Sequence, residues 1–218
     1  MGYLAYYFVW IALAYAMRYP YLAVGALVFF VLRRFIPDPF VLLRTAGRIG
    51  SLRGQISANP ANLTARRDLA VIYLDRLRPR AALRLLEEAL QRSPNDAELL
   101  YLTGVARYRS GDAAGALEPL VRAVELDPRV RFGEPYRVAA LALLDLQRWD
   151  EAEDALERYT GANSSSMEGL VRLAQLKRRS GDQQALEELR KEAVQTWAAL
   201  PSYERRRQFG WWLRSKFV

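Results

Sequence analysis

Cysteine and histidine are both missing from this chain of 218 residues. Their absence removes thiolate and imidazole from every conceivable site, which excludes Cys/His zinc centres, Ser-His-Asp and Cys-His catalysis, and disulfides. Acidic groups are scarce at the two ends. Residues 1–57 carry six Arg against one Asp, residues 201–218 carry five basic groups against one Glu, and the stretch between holds 21 basic and 22 acidic groups. The formal net charge of +8 therefore belongs entirely to the ends. A balanced middle makes a surface-wide phosphate field, and with it nucleic acid as the main partner, a poor expectation. The one acidic cluster, Asp150, Glu151, Glu153 and Asp154, falls at the start of a predicted helix, where negative charge suits the helix dipole. No catalytic site, cofactor or metal is expected. An apolar share of 51% with 26% charged residues is still that of a chain that folds.

Charge is also nearly absent from Gly2 to Leu32, where Arg18 is the single charged side chain in a run crowded with Tyr and Phe. Such a run belongs in a membrane. One straight helix over it would be about 45 Å long at roughly 1.5 Å per residue, against a hydrocarbon core of about 30 Å. Arg18, Tyr19 and Pro20 supply the interruption, because the proline removes a helix donor, its predecessor disfavours helix and the arginine seeks the headgroups. The expectation is a membrane anchor over residues 1–36, a short hairpin of two transmembrane helices near 3–17 and 21–34. A single crossing with an interfacial flank is the alternative. A cleaved signal peptide fits poorly, since no basic segment precedes the apolar run and a second apolar run comes directly after it. Trp10 suits an interface, Arg33 and Arg34 close the run, and Arg44, Arg48 and Arg53 come next, which by the positive-inside rule places the remainder in the cytoplasm, in the Arg- and Ala-rich style of a bacterial inner-membrane protein.

Ile36 to Phe40, with two prolines around one residue, forces an extended turn. Residues 37–58 then read as an amphipathic basic connector, either a cap for the segment beyond residue 58 or a helix on the membrane surface.

From there the chain repeats itself. Leu63 to Asp96 overlays Ala97 to Val130 at an offset of 34 residues, pairing Ala70 with Gly104, Ala82 with Ala116, Leu86 with Leu120, Ala89 with Ala123 and Pro94 with Pro128. Small residues at fixed offsets with a closing proline predict helix hairpins that stack, since one hairpin cannot bury its own apolar face. A third unit, 133–166, comes after a two-residue insertion and carries Tyr136, Ala139, Ala140, Ala152, Leu156 and Tyr159. A fourth, 167–199, carries Leu170, Leu173, Ala174, Gly181, Ala185 and Leu189 and reads as one residue short in its turn.

On these residues the region 59–200 resembles a tetratricopeptide repeat (TPR) array. The resemblance implies an all-α fold, a right-handed α-solenoid of hairpins, with a concave groove lined by the first helix of each pair. The family's groove positions correspond here to Arg67, Val71, Leu74 and Asp75, to Tyr101, Val105, Tyr108 and Arg109, to Arg137, Leu141 and Leu144, and to Val171, Gln175, Arg178 and Arg179. A surface of Arg and Tyr implies protein partners, in particular acidic or extended peptides. Some family members clamp a terminal carboxylate with groove asparagines, and none stands at the matching positions here, so that mode is not expected.

Residues 201–218 interleave Tyr203, Phe209, Trp211, Trp212 and Phe217 with Arg205, Arg206, Arg207, Arg214 and Lys216. This basic aromatic segment is expected to cap the array, with membrane-interface contact as the functional alternative. The whole reads as a non-enzymatic, membrane-anchored scaffold for assembling other proteins. The competing reading is an integral subunit of a larger membrane complex whose hairpin packs on partner helices.

Overall fold

The computed structural model describes residues 39–218 together with Arg18, Tyr19, Tyr21, Val24, Gly25, Val28 and Phe29. Trp10, Pro20, Arg33 and Arg34, and with them most of the expected membrane hairpin, lie outside the described residues. Among the described residues no helix is long and apolar enough to cross a membrane.

From Pro39 onward the chain forms ten α-helices: α1 (Pro39–Ala58), α2 (Leu63–Asp75), α3 (Pro79–Leu90), α4 (Ala97–Arg109), α5 (Ala113–Leu126), α6 (Glu134–Asp145), α7 (Trp149–Ala162), α8 (Met167–Ser180), α9 (Gln183–Ala199) and α10 (Ser202–Ser215). Helices α2 to α9 pair into four successive hairpins, each packed on the next, so the described part is an all-α solenoid of the kind the repeat implies. Each first helix is started by local chemistry. Asn62, Asp96 and Ser166 accept hydrogen bonds from Ala65 N, Leu99 N and Gly169 N, satisfying amides that the helix itself leaves unpaired. The third hairpin instead enters through Gly133 at φ 79°, after Arg131 and Phe132 at φ 49° and 55°. The inserted residues thus form a left-handed turn between the second and third hairpins.

The core obeys the repeat. Ala82, Ala116 and Ala152 are fully buried, and Leu86, Leu120 and Leu156 fill the space beside them. Small residues let the helices of a hairpin approach, and the leucines occupy the grooves between ridges. The fourth hairpin is not shortened. Gly181 and Asp182 hold the same offsets as Gly111 and Asp112, and at the next small position the structure buries Leu186, while Ala185 is only half-buried. A leucine in the alanine slot is why the sequence overlay slipped by one residue there.

Two departures from the repeat pattern have physical answers. Arg66 stands where other repeats place a bulky apolar residue and is 8% exposed. It donates to the Pro60 carbonyl at 3.1 and 3.3 Å and pairs with Glu88, so its charge is not left unmatched. Pro119 lies inside α5, where it has no N–H to offer the Gly115 carbonyl one turn back. Arg107 Nη1 donates to that carbonyl at 2.9 Å. Arg107→Ala is therefore expected to destabilise the protein by about 1–2 kcal/mol, the cost of a stranded acceptor. In a Pro119→Ala background, where the helix amide returns, the same change should cost much less. Chemical denaturation of the four variants measures this, and equal losses in both backgrounds would refute it.

The turn inside every hairpin needs one left-handed residue. Gly111 and Gly181 provide it at φ 94° and 82°, but Leu77 and Gln147 occupy the same repeat position at φ 56° and 60°. A branched side chain in this region carries strain of about 1–2 kcal/mol, of which glycine's greater unfolded freedom returns part. Leu77 is 47% exposed, so little packing is lost with it. We expect Leu77→Gly to raise stability by about 0.5–1 kcal/mol, read as a higher melting midpoint. A lower midpoint would mean that the leucine packs more than it strains.

Candidate functional site

The inner face of the array is lined by α2, α4, α6 and α8, the first helices of the four hairpins. Three carboxylates that recur at one repeat position, Glu98, Glu134 and Glu168, stand in the first turns of α4, α6 and α8. Negative charge there is favoured by the helix dipole. Glu98 and Glu168 each reach an arginine of the preceding hairpin, whereas Glu134 pairs within its own. Arg67 Nη1 donates to Glu98 Oε2 at 2.9 Å, and Arg131 pairs with the other oxygen of the same carboxylate. Arg137 holds Glu134 at 2.8 Å and reaches Glu168 at 3.7 Å, while Arg172 Nε donates to Glu168 at 2.9 Å.

Between these ion pairs lie the tyrosines. Tyr101 is partly buried against the core, and burial first, with Glu134 second, pushes its phenol above the ordinary value. Tyr108 is raised by burial and by its hydrogen bond to Asp145. Tyr159 OH donates to Glu134 at 3.4 Å. Burial works to lower the Arg137 pKa, but the bonds to Glu134 and the charge of Glu168 outweigh it and hold the guanidinium charged. These phenols therefore stay neutral, able both to donate and to accept, near a guanidinium that stays charged.

Of the eight arginine, tyrosine and glutamine residues among the groove positions named from the sequence, the structure gathers Arg67, Tyr101, Tyr108 and Arg137 along one strip. Arg109 is drawn away to the first hairpin, where its Nη1 donates to Leu74 O at 3.2 Å. Arg178 donates to Phe217 O at 3.1 Å, and the Arg179 guanidinium lies 3.8 Å from the Trp149 ring centroid. Gln175 is exposed. The arginines that stay in the strip are matched by carboxylates of the same chain, so the inner face is a ladder of paired charges and not a free basic surface. The three glutamates were missed in the sequence although their recurrence at one repeat position was there to be read.

Two hollows flank the strip. One, of about 390 Å³, opens between α1, α2 and α4 and is lined by Arg44, Arg67, Asp75 and Glu98. The other, of about 540 Å³, is bounded by Arg137 and Glu168 on the array and by Tyr203, Arg207 and Trp211 of α10. On the opposite side a cleft of about 980 Å³ lies between α5, α6 and α7, with an apolar floor that includes Leu117, Ala139 and Leu143. Of the membrane residues named from the sequence, only Arg18 is described. It is exposed, with its guanidinium 6.0 Å from the Tyr19 ring centroid. Among the described residues no group of three or more Asp or Glu is arranged to hold a metal ion.

A solenoid of helix hairpins with small residues at the helix crossings is the architecture of a repeat scaffold. Residues 67–130 match the family model of the tetratricopeptide repeat, so the second hairpin and most of the first carry that repeat. No curated protein matches the chain by sequence. The fold is shared with solved structures. A crystal structure of MamA superposes with a TM-score of 0.64 at 20% identity, covering 70% of this chain and 91% of that one. YrrB, described as a TPR protein with an unusual peptide-binding site, gives 0.61 at 16% identity, covering 81% and 88%. PilF of Pseudomonas aeruginosa gives 0.61 at 18% identity, covering 73% and 76%. At these identities the likeness is one of fold.

Proposed function

We propose that this chain is a non-enzymatic scaffold that binds a segment of a partner protein along its inner face, while its apolar amino-terminal residues fix it in a membrane, with the repeat array on the cytoplasmic side. The observation that carries the binding half is the strip from Arg67 through Tyr101 to Arg137, in which half-buried tyrosines alternate with guanidinium–carboxylate pairs. Aromatic area that costs little entropy to fix, beside charged groups already held in place, is what an extended chain needs for recognition. Because Glu98, Glu134 and Glu168 already neutralise the arginines, the matched ligand is an extended segment bearing both charge signs. A purely acidic one would have to displace the resident carboxylates. The tetratricopeptide match and the YrrB likeness favour a peptide or protein ligand over a small molecule. The membrane half rests on the sequence from Gly2 to Leu32 and the arginines beyond it.

The test is capture of partners by the full chain in mild detergent, comparing wild type with Tyr101→Ala, Tyr108→Ala and Arg137→Glu. Loss of a central aromatic or charged anchor should weaken binding about tenfold or more. If partners survive those changes but are lost on removing residues 1–34, the chain is instead an integral subunit held by its apolar segment.

A further inference from the structure

The last helix has two faces that do different work. Its inner face carries Glu204, Gln208, Trp211, Trp212 and Ser215, spaced to fall on one side of a helix, and all are at least half-buried. Gln208 Oε1 accepts from Met167 N at 2.8 Å, Trp212 stacks on Trp197 at 5.1 Å between centroids, and the Arg172 guanidinium of α8 lies 4.9 Å from the Trp211 ring centroid. These contacts lock α10 onto α8 and α9 and fix which side looks outward. The outward side should then be polar if capping were its only task.

It is not. Tyr203 is 70% exposed, Phe209 52%, Leu213 47% and Phe217 77%. Tyr203, Phe209 and Leu213 form a stripe down the outer face with Arg206 and Gly210 among them, and Phe217 follows just beyond the helix end. The exposed bases Arg205, which donates to Ala198 O at 2.5 Å, and Lys216, 5.2 Å from the Trp212 ring, border it on one side, Arg207 and Arg214 on the other. Glu204, the segment's one acid, points inward and pairs with Arg207 at 3.2 Å. Every outward charge on this helix is therefore positive.

We propose that this outer face of α10 is a membrane-surface site for anionic phospholipid, a lipid contact made by the repeat array itself and separate from the apolar amino-terminal segment. An apolar stripe bordered on both sides by bases matches the layering of a bilayer interface, in which aromatic and aliphatic side chains enter the acyl boundary and bases reach the phosphates beside it. Charge complementarity selects this occupant over a second copy of the chain, because two such faces brought together would oppose bases to bases. The helix is held rigidly by its tryptophans, so it does not have to fold on binding.

The absence of cysteine makes the test clean, since one introduced cysteine carries one probe. Gly210 is exposed, and a Cβ built there meets nothing within 4 Å. The full chain carrying Gly210→Cys labelled with a polarity-sensitive fluorophore is reconstituted in phosphatidylcholine vesicles, with and without phosphatidylglycerol. The expected result is a blue shift and brightening only with the anionic lipid, reversed by salt that screens surface charge, and abolished by Arg206→Glu with Phe217→Ser. The same probe at Gly161→Cys, another open surface position, should not respond. Leu213→Ser is a second variant that should weaken the response without disturbing the inward face. A probe at 210 that stays water-like in anionic vesicles overturns the proposal. So does a shift that appears without lipid and grows with protein concentration, which would mark a second copy, or one that appears only with RNA. Co-flotation with neutral vesicles reports the amino-terminal anchor separately, so either idea can fail alone.

Discussion

Truncating Leu120 to alanine is expected to cost about 3–4 kcal/mol, because the side chain is almost completely buried and the hairpin around it has little freedom to collapse into the space left. The sharper expectation concerns its neighbour. A Cβ added at Gly104 would stand 2.4 Å from Leu120 Cγ and 2.6 Å from its Cδ2, distances real atoms do not adopt. The obstacle is the leucine's branch point and not a flexible tip, so the whole side chain or the helix pair must move. Overpacking of this kind costs about 1–3 kcal/mol, against about 1 kcal/mol gained when alanine replaces glycine within a helix. Gly104→Ala alone should thus be destabilising by about 1 kcal/mol. In the Leu120→Ala background the new methyl falls into the vacated volume, and the double variant should be more stable than the sum of the singles by about 1–2 kcal/mol. Amide hydrogen exchange in α4 and α5 of the full chain is the measurement, since it reads local opening without requiring global unfolding. Strict additivity would show that the two residues do not share this contact.

The second large effect is expected from removing residues 201–218. Helix α10 covers Met167, Leu170 and Leu200, supplies the Gln208 oxygen that caps Met167 N, and stacks Trp212 on Trp197. Val218 is buried against Val171, Ala174 and Leu186. Two half-buried tryptophans and the aliphatic contacts together represent about 4–6 kcal/mol, taking roughly half the cost of a full core Trp→Ala change for each ring. In a solenoid each unit is stabilised by its immediate neighbours, so the loss should be graded. Exchange should accelerate strongly in α8 and α9, less in α6 and α7, and hardly at all in α2 and α3. Uniform acceleration along the whole array would mean that the four hairpins unfold as one unit.

The repeat was legible because helix packing leaves a simple trace. Ala82 and Ala116, Leu86 and Leu120, and Pro94 and Pro128 are each forced by a contact or a helix end that recurs at the same offset. What could not be read were features built from residues that break the local rule and are rescued elsewhere. Leu77 and Gln147 adopt the conformation that glycine normally supplies, so nothing in their identity marks a turn. Pro119 is tolerated in a helix only because Arg107, from the facing helix, replaces the missing donor. Leu186 stands in an alanine slot and shifted the apparent register of the fourth hairpin. The meaning of the groove arginines depends on their carboxylate partners, and while Arg137–Glu134 and Arg172–Glu168 lie within one helix, Arg67–Glu98 and Arg137–Glu168 join neighbouring hairpins, a relation that a single-helix pattern does not contain.

The left-handed turn at Arg131 and Phe132 has one more consequence. It divides the array into two assemblies, α1 to α5 and α6 to α10, each made of two hairpins and one terminal covering helix. Phe132 is 80% exposed and Arg131 is exposed beside it, so the backbone comes to the surface between buried Val130 and Gly133 and can be cut there. Yet Val138 and Ala139, from the second assembly, are buried in the apolar cluster of the first. Two fragments separated at this turn are therefore built as complementary halves, and expressed apart they should find each other and restore a single array.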